Sequence, residues 1–159
     1  MKDLKYLFAY TIPVAVCVSF VSYGLWTYSA IFYVFLILPV LDILTGETRK
    51  NMSSKEASYK KTKWIFDLML YLNAPIVFGL LFMMLSKIQN NSYETFELIG
   101  LLLSAGILLA TNGINVAHEL GHRKSFFDRF VSQLLYMPCL YMHFYIEHNI
   151  GHHKHVATP

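Results

Sequence analysis

A chain of 159 residues that is 55% hydrophobic and only 14% charged has too much apolar surface to bury inside one soluble domain. That balance excludes an ordinary soluble enzyme or a disordered segment and predicts an all-α integral membrane protein, a helical bundle of about four transmembrane helices. The formal net charge of +3 is small, and its placement carries more information than its size.

Lys2 and Lys5 precede an apolar run, the layout of a cleaved signal peptide. No small-x-small cleavage site follows and the run continues straight into a second apolar stretch, so a retained helix is expected. Between Tyr6 and Leu41 there is no charged residue. A single crossing takes about 20 residues, so this stretch reads as a helical hairpin. Its turn is expected near Gly24–Ser29, with Tyr23, Trp26 and Tyr28 at an interface. Leu68–Ser86 and Leu98–Ala117 supply the next two crossings. Cys17 and Cys139 sit in apolar surroundings and read as small buried hydrophobes.

The only linker-like stretch is Thr45–Lys63, where Arg49, Lys50, Lys55, Lys60, Lys61 and Lys63 cluster. The region Lys87–Glu97 holds one lysine and two glutamates. The bias places the N-terminus and residues 42–63 on the cytoplasmic side of a cell inner membrane. It is read as orientation, not as a nucleic-acid surface. His118 then falls at the cytoplasmic end of the fourth helix. Phe130–Ile146 is apolar and contains Pro138 and His143. If it crossed the membrane, the histidines on its two sides would lie on opposite faces. A shared site requires this segment to be interfacial, re-entrant or a bent hairpin.

Those histidines form two boxes, His118-Glu119-Leu120-Gly121-His122 and Glu147-His148-Asn149-Ile150-Gly151-His152-His153. Residues four apart share a helix face, so His118 with His122, and His148 with His152, can aim at one ion, and His153 adjoins that face. Gly121 leaves room for close approach of another helix. Imidazole suits iron, zinc and copper, and five imidazoles exceed the three protein ligands of a catalytic zinc, which points to a two-metal centre. His143 stands alone and reads as an outer partner or a structural residue. His155 reads as polar surface. Glu119 and Glu147 orient imidazole N–H groups or, alternatively, form salt bridges with Arg123 or Lys124. Asp42 and Asp67 lie at expected helix ends, where hydration suffices. His118-Glu119-x-x-His122 also fits a membrane zinc metalloprotease with Glu119 as base, which leaves the second box unexplained. A non-enzymatic membrane metal-binding protein is a further alternative.

The run Asn115-Val116-Ala117-His118-Glu119-Leu120-Gly121-His122-Arg123, with Glu147 through His153 continuing to Lys154-His155-Val156-Ala157-Thr158-Pro159, resembles the membrane alkane 1-monooxygenases. These belong to the histidine-box superfamily that includes fatty acid desaturases. Pro39-Val40-Leu41-Asp42-Ile43-Leu44-Thr45-Gly46-Glu47 resembles the family's helix-end motif more weakly. The resemblance implies a non-haem di-iron centre, two Fe, with His118, His122, His148, His152 and His153 as ligands. It implies hydroxylation of the terminal carbon of a medium-chain alkane by O2, with electrons from rubredoxin and its reductase. Ile43 matches a position at which a bulky residue limits substrate length. A fatty acid desaturase or another lipid hydroxylase acting on an acyl chain is the nearest alternative. The family's further histidine motifs do not occur in residues 1–159, which are therefore expected to be the N-terminal part of a longer domain, inactive alone.

Overall fold

The computed structural model describes residues 4–46 and 64–148. Among these residues there are helices and turns and no strand, an all-α membrane bundle. Four apolar helices come first: α1 (Tyr6–Val21), α2 (Gly24–Thr45), α3 (Trp64–Asn90) and α4 (Thr95–Gly121). Only α2, α3 and α4 are long and apolar enough to cross a bilayer. The expected first crossing, α1, is shorter, because the chain leaves the helix at Ser22 with an extended ψ of 172°. A multi-pass membrane protein results, with three full-length crossings among the described residues.

The hairpin turn is tighter and earlier than the sequence suggests. It occupies Ser22 and Tyr23, and helix resumes at Gly24, whose φ of +62° suits a residue without a Cβ. Small residues let α1 and α2 approach: Ser19 Oγ lies 2.8 Å from Ser29 Oγ and accepts the Ala30 N–H at 3.0 Å. The start of α4 closes over this turn. Gly100 there lies so near α2 that a Cβ would sit 2.4 Å from Thr27 Oγ1. Glu97, buried, accepts the Gly24 N–H and the Glu94 N–H. Glu97→Ala removes the acceptor of both bonds and should therefore cost about 0.5–2 kcal/mol, the range for losing a helix cap. Reversible unfolding in detergent reads this, and a loss under about 0.5 kcal/mol would contradict it.

Helix α3 contains Pro75, which cannot donate to the ladder and disturbs the turn before it. The Asn73 amide, two residues before it, donates to the Met69 and Leu70 carbonyls at 2.8 and 3.2 Å. Tyr10 of α1 donates its hydroxyl to Met69 as well. Helix α4 departs from regular α geometry over Leu109–Ile114, a π turn, then finishes as Asn115–Gly121.

After His122 the chain turns and forms α5 (Phe126–Tyr136), strongly amphipathic. It buries Val131, Ser132, Leu135 and Tyr136 and exposes Phe126, Arg129 and Phe130. Its closest partner is the end of α4. Ser132 donates to the Ala117 carbonyl at 2.6 Å, and a Cβ on Gly121 would meet Ser132 Oγ at 3.2 Å. The room that Gly121 leaves is thus used by α5.

Phe130–Ile146 does not cross the bundle. It is the end of α5, a 3-10 turn at Met137–Cys139 beginning near Pro138, and a bend. Tyr141 N–H bonds the Tyr136 carbonyl at 3.2 Å and Leu140 N–H the Met137 carbonyl at 3.0 Å. This is the double closure of a helix C-terminus around a left-handed residue, with the Tyr136 and Tyr141 rings in contact across it. The left-handed residue is Leu140, φ +53°, where glycine is usual. Leu140→Gly should raise stability by up to about 1 kcal/mol by relieving that conformation. A fall in the detergent unfolding midpoint would contradict the geometry.

Candidate metal centre

The bend returns the chain to the end of α4, where His148 meets the first histidine box. His118 and His122 occupy successive turns, and their Nε2 atoms lie 3.0 Å apart. His148 arrives from the far side of the bend. Its ring centroid is 4.4 Å from that of His118 and 5.2 Å from that of His122. One nitrogen from each of the three falls within 4.8 Å of the others. Nitrogens bound to one ion at about 2.1 Å can be no more than roughly 4.2 Å apart, so small ring rotations close this set on a single metal. The donor set is all imidazole, which suits iron, zinc or copper.

His152 and His153 lie outside the described residues, as does His155. His143 is outside the three-histidine group. Its ring is exposed and meets Tyr141 edge-on at 5.0 Å. Glu119 is 60% exposed with its carboxylate 3.9 Å from Arg123 Nε, the geometry of the salt-bridge alternative. Glu147 is exposed at the end of the short helical turn Phe144–Ile146. Ile43 is 79% exposed on α2. Its neighbours Leu38, Leu41, Asp42 and Thr45 line a cavity of 430 Å³, and Ile43 does not.

Three features of the site had no motif to announce them. Phe144 stacks on His148, centroids 4.9 Å apart and planes 18° apart, and also lies 6.0 Å from His118. Behind Phe144 stands Tyr136, fully buried, whose phenol burial pushes up to about 12, so it stays neutral.

The second is an ion network under the histidine turn. Arg123 Nη1 lies 2.6 Å from Asp67 of α3 and 3.7 Å from Asp128 of α5, and Tyr71 of α3 donates to Asp128 at 2.7 Å. Burial works against the Arg123 charge, but Asp67, Asp128 and Glu119 outweigh it and hold its pKa above the ordinary value. Asp67 is therefore engaged and not merely hydrated. The sequence offered Arg123 only Glu119 and Glu147 as partners; Asp67, 56 residues away, and Asp128 on the next helix come to it through packing.

The third is a polar contact deep in the bundle, where Asn112 of α4 bonds Asn73 of α3 at 2.8 Å. It borders a cavity of 190 Å³ lined by Tyr10, Met69, Asn73, Thr111, Asn112 and Val116 among others. Val116 is two positions before His118, about 200° around the helix, so this cavity backs the histidine turn without opening on the imidazoles.

Comparison with known proteins adds a family to this geometry. The chain is 36% identical to the alkane 1-monooxygenase of Pseudomonas putida over 77% of its own length and 30% of that protein's. It is 33% identical to alkane 1-monooxygenase 1 of Alcanivorax borkumensis, over 89% of this chain and 35% of the relative. The chain belongs to the alkane 1-monooxygenase family. It spans about a third of the length of these relatives. A more distant relative, 29% identical along the whole chain and 42% of its own length, is the hydroxylase component of a xylene/toluene monooxygenase from Pseudomonas putida. No family model matches the chain. Within the alkane 1-monooxygenase stretch represented here, His118 and His122 of the first box and His148 of the second meet at one end of the helical bundle.

Proposed function

We propose that these residues form part of a membrane-bound non-haem di-iron monooxygenase that hydroxylates the terminal carbon of medium-chain alkanes. His118, His122 and His148 would hold one iron. His152 and His153 are proposed as further ligands, shared with or belonging to a second iron. When bound, the metal pair supplies O2 activation. The observation that carries this reading is the meeting of three imidazoles from two separated boxes at the end of an apolar helix.

The chain's own residues orient and exclude. Phe144 fixes the plane of His148, and the Arg123–Asp67–Asp128 network ties the turn bearing His118 and His122 to α3 and α5. Apolar helices bring a hydrocarbon to this end from within the bilayer and keep bulk water from it. Rubredoxin, with its reductase, is proposed as electron donor, docking on the cytoplasmic face of an inner membrane. Glu119 and Glu147 are proposed as outer partners of the imidazoles, His143 as a more distant one, and Ile43 as a determinant of chain length. The domain is proposed to continue over the length of the relatives, with residues 1–159 as its first part.

Membranes containing the protein that carries this stretch, given octane, O2, NADH, rubredoxin and reductase, should yield 1-octanol, with about two irons per polypeptide. An alkene product would favour the desaturase reading. One zinc with peptide cleavage would favour the protease, and no oxygen-dependent product would overturn the proposal.

A further inference from the structure

The helix that carries His118 and His122 is not uniform. Between Leu109 and Ile114 its ladder widens, and the Asn115 N–H reaches the Ala110 carbonyl, five residues back instead of four. A π turn absorbs one residue more than an α turn. Everything beyond it is therefore about 100° out of phase with a continuous α-helix.

This turn is gripped from the side. Asn112, 6% exposed, donates through Nδ2 to Asn73 Oδ1 at 2.8 Å, and Asn73 is anchored in turn on the Met69 and Leu70 carbonyls. The Thr111 hydroxyl lies 2.8 Å from both the Ile107 carbonyl and Asn112 Oδ1, at the place where the ladder changes register. Gly113 faces the end of α5, where a Cβ would lie in ordinary contact with the Leu135 carbonyl at 3.7 Å and Cys139 Sγ at 3.8 Å. A side-chain amide this deep in an apolar bundle is retained only with partners, and each of these has them.

We propose that Asn112, through its bond to Asn73, is a positioning residue: it holds the π turn and so sets the rotational phase of the His118/His122 turn against the bundle. The consequence for metal rests on the function proposed above; the phasing itself does not. Helix α5 is packed more extensively on the last turns of α4 than on any other element. A change of phase therefore swings both away from α3, where Arg123 meets Asp67 and Asp128 meets Tyr71.

The test exploits the surplus residue. Asn112→Leu should let the turn relax to α and rotate the histidine turn, and deleting Ala110 from the same chain should remove the surplus and restore the phase. A contact that merely stabilised the fold would show no such rescue. A metal-free readout uses spin labels at two exposed positions, Trp64→Cys and Phe126→Cys, with Cys17 and Cys139 replaced by alanine. The full chain in nanodiscs then gives the distance by pulsed dipolar spectroscopy. The second readout is titration with Co²⁺ alone.

Asn112→Leu should shift the label distance by at least about 3 Å, because a 100° turn moves a side-chain tip by more than the helix radius of about 5 Å. Co²⁺ affinity should fall at least about tenfold, and deletion of Ala110 should return both values. If Asn112→Leu does not fold, two other changes decide. Deleting Ala110 alone should preserve distance and affinity, whereas inserting an alanine after it should shift both. An unchanged label distance in Asn112→Leu, or a deletion as damaging as the insertion, would overturn the proposal. Label distances that respond as described in a chain that takes up no Co²⁺ would sustain the phasing and sink the metal reading.

Discussion

Replacing His118 with alanine is expected to lower Co²⁺ or Fe²⁺ affinity by at least about 100-fold, beyond the roughly 10–100-fold that outer partners of a metal ligand command. His118 is the central imidazole of the three. Its ring lies 4.6 Å from His122 and 4.4 Å from His148, while those two are 5.2 Å from each other. Alanine is a strong helix former and the site is only half-buried, so the fold should survive. Competition dialysis measures the affinity, and circular dichroism checks the helix. A loss under threefold with an intact helix would remove His118 from the ligand set.

The largest effect on the fold is expected at Tyr136. It is 1% exposed and packs against both Tyr141 and Phe144, the residue that stacks on His148. Tyr136→Ala should cost about 3–5 kcal/mol, the range for emptying a buried aromatic site. Tyr136→Phe keeps the ring and should cost no more than about 1.5 kcal/mol. The damage should not be confined to stability, because the bend at Leu140 closes over this ring and delivers His148. Tyr136→Ala should therefore also weaken metal uptake at temperatures where the bundle stays folded. Reversible unfolding and dialysis on the same preparation separate the two, and an alanine variant within about 1 kcal/mol of the parent would contradict the packing.

Much of the fold was readable in the sequence because lipid imposes simple demands. Long charge-free stretches can only be helices there, which is why α2, α3 and α4 lie where hydropathy puts them. The shortfall of α1 was not readable, since Ser22 and Tyr23 look no different from the residues around them until Gly24 turns left-handed and Glu97 caps it. The convergence of the boxes was legible as a requirement: a shared site forbade Phe130–Ile146 from crossing, and the bend after Pro138 obeys. Its agent was not, because a leucine at a left-handed position carries no sequence signal. The π turn before His118 was hidden for the same reason, as was the reach of Arg123 across the bundle to Asp67. Residues far apart in sequence meet only through packing, and no spacing rule encodes it.

The most direct test is X-ray absorption at the metal edge of the loaded chain. Three or more imidazole nitrogens at about 2.0–2.1 Å should surround the ion, and His148→Ala should remove one of them. A shell without imidazole, or one that keeps its full nitrogen count when His148 is gone, would mean that the two boxes do not share a metal.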